Sequence, residues 1–345
     1  MKPINVARLV KPNIRSLSPY KAEETTCKVK LDANESPYGL PIGMLKADLN
    51  RYPDPEAKAL KKAIAKDLGV RPDNILMGNG SDELIYYLIM TFGGPVLYPT
   101  PTFSMYGIIA QALGESFIGI PLDKEFDLDA NRILAAVKKG RPKLIFLSSP
   151  NNPTGNCFSA DRILGIIEAS KGVVVVDEAY QAFAGERGFL PLLEDYENLV
   201  VLRTMSKIGL AAIRTGFLIG RPELVSEVNK VRLPFNLNSL SQTIAYGSFK
   251  NKQKLREWIR TVVSERARVF DALTSMEGVI PYPSEANFIL FRVESANKVY
   301  KGLLKQDVLV RNMDQVIKGA LRVTIGKPEE NSTFLRALSR AVGGI

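Results

Sequence analysis

The first candidate for chemistry is a lysine that follows an apolar run at residues 199–202. Lys207 lies beside the hydroxyl groups of Thr204 and Ser206. A partly desolvated lysine can form a Schiff base with an aldehyde, and neighbouring hydroxyl groups can hold a phosphate. An ordinary surface loop can contain the same residues, so this motif alone is compatible with both interpretations.

Two more motifs follow apolar runs in the same way. Asp177 ends a run of four valines at 173–176, and Tyr180 comes three residues later. A carboxylate there could pair with a protonated ring nitrogen, although an aspartate that caps a turn fits the motif as well. Asn152 lies in a turn with two prolines after the run 144–147, and its amide could donate a hydrogen bond to a phenolate-like oxygen.

The fourth motif stands at the beginning of a predicted helix. Gly80, Ser81 and Asp82 precede the apolar segment 84–92. Free backbone N–H groups and the helix dipole make such a point an anion site, and glycine lets a phosphate approach the backbone. Serine and aspartate are also good helix caps, so the motif can serve both purposes.

The elements around these motifs indicate an α/β fold. Strand-like runs are followed by helix-like stretches up to about residue 245, and continuous apolar strands are typical of a mainly parallel sheet buried on both faces. Such a sheet binds ligands at the carboxyl ends of its strands. Asp54, Pro55 and Gly69 predict a helix with an N-cap, a proline at its first position and a glycine stop. The segment 84–92 is apolar all round, which predicts a buried helix.

The C-terminal third has a different pattern. It predicts a long helix at 252–276 and antiparallel-looking strands at 287–293 and 320–325. We therefore expect a large domain at residues 45–244 and a smaller α+β domain built from residues 1–44 and 245–345.

The composition excludes several classes of site. The chain has 345 residues, 46% hydrophobic and 24% charged, and it contains no histidine, which removes Ser-His-Asp and Cys-His units and any histidine-bound metal. Its two cysteines, Cys27 and Cys157, form no disulfide framework or metal motif, so no metal is expected and a reducing cytoplasm is the natural location. The segment 84–92 is too short to span a membrane.

The net charge of +10 needs a separate interpretation. Basic residues are scattered rather than concentrated on one element, which favours a solvated surface over a nucleic-acid interface. A positive surface also steers anionic small molecules toward the protein. We expect small-molecule substrates and neither nucleic acid nor membrane as a partner.

Taken in chain order, the four motifs resemble those of the fold-type I aminotransferases that depend on pyridoxal 5'-phosphate. The segments 14–20, 31–39, 49–55, 101–106 and 321–326 look like those of histidinol-phosphate aminotransferases, within class II of that group. The resemblance covers nearly the whole chain. It implies a mainly parallel seven-stranded sheet in the large domain, pyridoxal phosphate as cofactor, and a homodimer.

The resemblance also implies roles for the residues around the cofactor. Lys207 would bind it as a Schiff base and move the substrate's Cα proton, Asp177 would bind the pyridine nitrogen, and Tyr106 would stack on the ring. Tyr180 and Asn152 would contact its phenolic oxygen. The residues implied at its phosphate are Gly80, Ser81, Asp82, Thr204, Ser206 and Arg214.

Other roles implied by the resemblance concern the partner subunit and the substrate. Tyr52 would reach the cofactor phosphate of the neighbouring subunit. Arg322 would hold the α-carboxylate of the amino-acid donor, a bidentate task that suits arginine. Tyr20, Asn34 and Arg311 are further candidates for substrate binding, Tyr20 and Arg311 at the substrate phosphate.

The reaction implied is transamination between L-histidinol phosphate and 2-oxoglutarate, giving imidazole acetol phosphate and L-glutamate in histidine biosynthesis. Threonine-phosphate decarboxylase and aromatic amino-acid aminotransferase are alternatives of the same fold. A transcription regulator is a further alternative, but the motif that begins at residue 14 leaves no room for a DNA-binding domain before it. Another alternative is a basic binding protein without enzymatic activity. This last alternative gives no reason for Lys207, Asp177 and Asn152 together.

Overall fold

The computed structural model describes residues 27–32, 34–38, 52–249 and 252–343. Its strands are β1 (Val29–Leu31), β2 (Ile75–Asn79), β3 (Val96–Thr100), β4 (Phe117–Pro121), β5 (Leu144–Ser148), β6 (Val173–Asp177), β7 (Leu199–Thr204), β8 (Thr215–Gly220), β9 (Val279–Pro281), β10 (Phe288–Val293), β11 (Val308–Asn312) and β12 (Ala320–Thr324).

The α-helices alternate with many of these strands. They are α1 (Lys58–Leu68), α2 (Ser81–Phe92), α3 (Met105–Leu113), α4 (Ala130–Gly140), α5 (Ala160–Ala169), α6 (Pro222–Asn229), α7 (Ser239–Ser248), α8 (Lys252–Thr274), α9 (Ala296–Leu304) and α10 (Pro328–Gly343). In the described part of the chain, no helix is both long enough and apolar enough to cross a bilayer.

The larger sheet has seven strands in the order β2–β8–β7–β6–β5–β3–β4. The neighbours from β4 to β7 run parallel, and β8 runs antiparallel to both β7 and β2. The mainly parallel seven-stranded sheet expected from the sequence is therefore confirmed. Because β2 runs in the same direction as β7, the carboxyl ends of β2, β5, β6 and β7 meet at one edge of the sheet.

The four valines of β6 show why this sheet forms from continuous apolar runs. Val174 and Val176 pack in the core on one face of the sheet, where α5 contributes Ile163. Val173 and Val175 pack in the core on the opposite face, beside Leu84 of α2. Side chains alternate along a strand, so a strand that is covered on both faces has to be apolar at every position.

The smaller sheet joins distant parts of the chain. Its order is β1–β11–β12–β10–β9, with β1 parallel to β11 and the other neighbours antiparallel. Val269 of α8, Val299 of α9 and Phe334 of α10 pack in its core. Residues 29–31 thus join the sheet that the C-terminal strands form. Ala245 of α7 packs in the core of the larger sheet. The domain boundaries at 44/45 and 244/245 remain a prediction.

Two helices differ from the expectation. The helix α1 begins at Lys58 rather than Pro55, because the Asp54 carboxylate accepts hydrogen bonds from the N–H groups of Glu56 and Lys58 and closes a separate turn. The helix α2 is not buried all round, since Tyr86 and Met90 on its outer face are 40% and 52% exposed.

Candidate active site

A cavity of about 360 Å³ lies at the carboxyl ends of β5, β6 and β7. Nine of the predicted site residues line it together: Ser81, Asp82, Asn152, Asp177, Tyr180, Thr204, Ser206, Lys207 and Arg214. The parallel sheet accounts for this convergence, because residues that directly follow successive strands are brought to one edge.

One end of the cavity is built to hold an anion. The twelve-residue helix α2 begins there at Ser81, and the hydroxyl groups of Thr204 and Ser206 lie 3.0 Å apart. Arg214 also reaches this end, where its Nη2 is 3.1 Å from Asp82 Oδ2. Backbone N–H groups at a helix start, two hydroxyls and a guanidinium form a suitable phosphate cradle.

Glycines allow these groups to approach one another. Gly80 has a φ of 86°, and a Cβ atom there would lie 2.7 Å from Nη2 of Arg214. A Cβ atom on Gly216 of β8 would lie 2.6 Å from the backbone nitrogen of Ser81. The space that a phosphate and its donors need is therefore kept open by two missing side chains. Gly80 borders the cradle without lining the cavity itself.

The other end of the cavity presents a buried carboxylate. Asp177 is 3% exposed, and burial raises the pKa of its carboxyl group to about 6. Its Oδ2 accepts a hydrogen bond of 2.7 Å from the hydroxyl group of Tyr106, and its Oδ1 accepts one of 3.0 Å from the N–H of Ala179. A protonated ring nitrogen placed against this group would give the buried charge a partner.

The structure corrects the role expected for Tyr106. This side chain is completely buried behind Asp177, and its ring stacks on Phe146 with centroids 4.7 Å apart. Phe103 lines the cavity instead. The reason is local: residue 103 lies in the loop before α3, whereas residue 106 is in the first turn of the helix and points back into the core. A ring bound in the cavity would contact Phe103, not Tyr106.

Asn152 and Tyr180 face the middle of the cavity together with Lys207. The Oδ1 atom of Asn152 accepts a hydrogen bond from Nη1 of Arg322. Since a guanidinium can only donate, this contact fixes the amide with its NH₂ group on the other side. Lys207 Nζ lies 5.6 Å from the centroid of the Tyr180 ring. An amine, an amide donor and a phenol thus converge on one space.

A second and larger cavity, of about 1050 Å³, adjoins the first. Phe103, Asn152, Tyr180 and Lys207 line both. The larger cavity also brings together the predicted substrate-binding residues in the described part of the chain, Asn34, Arg311 and Arg322.

Two of these residues oppose each other across a strand pair. Arg311 of β11 and Arg322 of β12 are register partners. The larger cavity is therefore lined by guanidinium groups from two neighbouring strands.

Among the described residues, the predicted residue Tyr52 lies outside these cavities. Tyr52 is 83% exposed and stacks on Phe235, with ring centroids 4.7 Å apart, so it contributes nothing to the site of its own chain. Tyr20 lies outside the described residues.

Sequence reasoning missed the residue that holds the Asn152 loop. Asn151 is completely buried; its Oδ1 accepts a hydrogen bond of 2.7 Å from Thr102, and its amide donates to Thr154 and to the carbonyl of Pro101. It ties the loop that carries Asn152 to the loop that carries Phe103. The only signal in the sequence was the doubled asparagine in the proline-rich turn.

Comparisons with known proteins agree with this geometry. A sequence profile of the class I and II aminotransferases matches residues 19–338. The chain is 46% identical over 350 residues to histidinol-phosphate aminotransferase of Aquifex aeolicus, an alignment that covers 97% of this chain and 98% of that protein. It is 39% identical over 347 residues to histidinol-phosphate aminotransferase of Caldanaerobacter subterraneus subsp. tengcongensis, and this alignment covers 96% of this chain and 98% of that protein.

A solved structure extends the comparison to the fold. Histidinol-phosphate aminotransferase from Sinorhizobium meliloti, in complex with pyridoxal-5'-phosphate, superimposes with a TM-score of 0.88 at 25% identity, over 97% of this chain and 98% of that one. The resemblance inferred from the four motifs is confirmed. With its cradle, buried carboxylate and converging lysine, this chain belongs to the class I and II aminotransferase family.

Proposed function

We propose that the protein is a pyridoxal-phosphate-dependent aminotransferase that moves an amino group between L-histidinol phosphate and 2-oxoglutarate. The single observation that carries this proposal is the cavity in which Lys207, Asp177 and the phosphate cradle face one another. The identity of 46% to a histidinol-phosphate aminotransferase over nearly the whole chain supports the substrate.

The residues present fit the cofactor from end to end. The cradle at Ser81, Thr204, Ser206 and Arg214 would bind its phosphate, and the Asp177 carboxylate would bind its ring nitrogen. Tyr180 and Asn152 would donate hydrogen bonds to its phenolic oxygen, and Phe103 would pack against its ring. Pyridoxal phosphate supplies a carbonyl carbon that condenses with amines and a ring that accepts the electron pair of a broken Cα–H bond.

The chain's own groups supply the positioning and the proton transfer. Lys207 would hold the cofactor through its Nζ atom and, when released as a neutral amine, would take the proton from the substrate's Cα. Ionised Asp177 keeps a positive charge on the ring nitrogen favourable, because a buried carboxylate and a cation stabilise each other strongly.

The larger cavity would bind the substrates. Arg322 is held by Asn152 and by the backbone oxygen of Asp32, to which its Nη2 donates at 3.0 Å. It would bind the α-carboxylate of glutamate, while Arg311 opposite would take part in binding the phosphate of histidinol phosphate. Asn34 lies in the same wall.

We also propose a homodimer in which Tyr52 serves the neighbouring site. Tyr52 and Phe235 form an exposed aromatic stack, and Leu233 beside it is 65% exposed. The exposed face of α2, with Tyr86 and Met90, lies in the same region, because Asn236 donates a hydrogen bond to Glu83 of α2. An apolar patch of this kind indicates a contact with another protein surface.

Mixing two inactive variants tests the shared site. Lys207→Ala and Tyr52→Ala chains should each lack activity, but a heterodimer contains one site with Lys207 from one chain and Tyr52 from the other. An equimolar mixture after subunit exchange should recover about a quarter of wild-type activity. No recovery in a mixture that sedimentation shows to contain dimers would contradict the role of Tyr52.

Substrate comparison tests the reaction itself. The measured kcat/KM for L-histidinol phosphate should exceed that for aromatic amino acids, and O-phospho-L-threonine should release no carbon dioxide. Arg322→Lys should raise the KM for glutamate, since lysine cannot make a bidentate contact with a carboxylate. A protein that decarboxylates O-phospho-L-threonine would have the alternative function of the same fold.

A further inference from the structure

Asn34 makes a chain of hydrogen bonds that ends at Tyr180. Its backbone N–H donates to Oγ1 of Thr324 at 2.8 Å, and Thr324 Oγ1 donates to Asn34 Oδ1 at 3.1 Å. The Nδ2 atom of Asn34 then donates to the hydroxyl oxygen of Tyr180 at 3.0 Å. All three side chains are at least 96% buried, with exposures of 2% for Asn34, 2% for Thr324 and 4% for Tyr180.

The direction of each bond follows from the one before it. A backbone N–H can only donate, so Thr324 Oγ1 accepts there and keeps its own proton for Asn34 Oδ1. This fixes the amide with its NH₂ group toward Tyr180. The reverse orientation would leave the buried Thr324 proton without an acceptor, which is costly. Tyr180 must therefore accept from Asn34, and its own hydroxyl proton is left to donate elsewhere.

The hydroxyl proton of Tyr180 is left to donate into the cavity. Tyr180 lines both cavities, and no acceptor among the described residues takes its hydroxyl proton. We propose that Asn34 is a positioning residue that holds the Tyr180 hydroxyl as a donor toward the phenolic oxygen of the bound cofactor. This inference rests on the function proposed above, and it assigns Asn34 to the cofactor side of the site in addition to the substrate wall.

The backbone at Asn34 suits this task. Its φ of 54° lies in the left-handed region, which asparagine and aspartate adopt more readily than other residues with a side chain. Its backbone oxygen accepts a hydrogen bond from Asn287, which secures the segment to the smaller sheet. Asn34→Asp therefore keeps the backbone and the shape while replacing the NH₂ donor with an acceptor oxygen.

The test is a pH titration of the visible absorption of holoenzyme reconstituted with pyridoxal phosphate. A donor to the phenolic oxygen stabilises that oxygen's negative charge and so lowers the pKa of the Schiff base formed with Lys207. In Asn34→Asp the introduced carboxylate would draw the Tyr180 proton away, so the chromophore pKa should rise by about one to two units. Tyr180→Phe should show a similar rise.

Two further variants distinguish the hydrogen-bonding role of Asn34 from a structural role and from the effect of the introduced charge. Asn34→Ala removes the amide but leaves the Tyr180 proton free to donate, so its rise should be smaller than that of Asn34→Asp. A merely structural role predicts the opposite order, since alanine removes more contacts and tolerates the left-handed backbone less well. If Asn34 acts through Tyr180, the chromophore pKa of the double variant Asn34→Asp/Tyr180→Phe should rise by less than the sum of the rises in the two single variants.

The possible results can be told apart. Strictly additive shifts, or a larger shift in Asn34→Ala, would overturn the role of Asn34 while the wild-type chromophore still supports the cofactor assignment. A wild-type protein without any Schiff-base absorption would overturn the proposed function and this inference with it.

Discussion

The hydroxyl group of Tyr106 donates a 2.7 Å hydrogen bond to Oδ2 of Asp177 inside the core. This bond favours the ionised carboxylate, the form that a protonated ring nitrogen needs as its partner. Tyr106→Phe should therefore raise the pKa of Asp177, by about one unit. The acid limb of the pH profile of cofactor affinity should move upward by the same amount.

Titration of cofactor binding by fluorescence across the acid range measures this shift. Tyr196→Phe is the matched control, because it removes another tyrosine–carboxylate bond, 3.0 Å to Glu168, that is distant from the cavity. An unchanged acid limb in Tyr106→Phe would show that the hydroxyl group does not support Asp177.

Burial of Asp177 also predicts how the cofactor-free protein responds to pH. Its pKa is raised from 3.8 to about 6, so the folded state binds the proton more tightly than the unfolded state does. Its contribution to stability is therefore present below about pH 4 and is lost as the pH rises through about 6, a loss of about 3 kcal/mol. Asp177→Asn removes this loss and keeps an oxygen for Tyr106.

Denaturant unfolding of the apo protein at both ends of that range measures the effect. The difference in unfolding free energy between Asp177→Asn and wild type should increase with pH and reach its full value above about pH 6. The exposed Asp195 provides the control variant Asp195→Asn. A difference that is independent of pH would mean that Asp177 ionises normally in the folded protein.

The phosphate cradle can be tested at a glycine. In Gly80→Ala the new Cβ atom would meet Arg214 at 2.7 Å and displace the guanidinium from the cradle. We expect the Kd for pyridoxal phosphate to increase at least about tenfold, in line with the loss of one charge-assisted contact.

Gly69→Ala is the control for alanine at a positive φ. Gly69 has a φ of 70°, close to the 86° of Gly80, but a Cβ atom there meets nothing within 4 Å. Gly69 has a ψ of 27°, in the left-handed region, where alanine should cost about 1–2 kcal/mol of stability. Gly80 has a ψ of 164°, a conformation that essentially only glycine adopts, so Gly80→Ala should lose more stability than Gly69→Ala. Equal cofactor affinity in the two variants would show that the cradle does not depend on the space at Gly80.

A buried ion pair next to Asp177 gives a stability prediction. Glu178 has a completely buried side chain and pairs with Arg203 at 2.7 Å. Arg203→Ala should lower the free energy of unfolding by about 3–5 kcal/mol, because it leaves a buried carboxylate without its partner. Arg221→Ala breaks the pair with Glu197, which is 85% exposed, and should cost at most about 1 kcal/mol through that pair. Similar losses in the two variants would contradict this account of Glu178.

The sequence predicted the cavity residues well where each one directly follows a strand. Lys207, Asp177 and Asn152 could be located because apolar runs identify the parallel strands, and their carboxyl ends meet at one edge. The choice between Phe103 and Tyr106 could not be made in the same way. Both aromatic residues stand in one short motif, and which of them faces the cavity depends on where the helix α3 begins.

Other features depend on contacts between distant segments. The direction in which the Tyr180 hydroxyl group donates depends on Asn34 and Thr324, which are 146 and 144 residues away in the chain. These residues meet Tyr180 only because β1 joins the C-terminal sheet. The exposure of Tyr86 and Met90 depends on what covers the outer face of α2. An apolar helix pattern alone does not distinguish a face buried within one chain from a face exposed on it.

We expect this cavity to transfer an amino group from L-histidinol phosphate. The most direct test is the visible spectrum of the purified protein with pyridoxal phosphate, recorded before and after L-histidinol phosphate is added. The Schiff-base absorption should disappear as the cofactor takes up the amino group, and it should return when 2-oxoglutarate is added. Absorption that is unchanged by L-histidinol phosphate would contradict the assigned substrate, and absence of the absorption from the start would contradict the cofactor site.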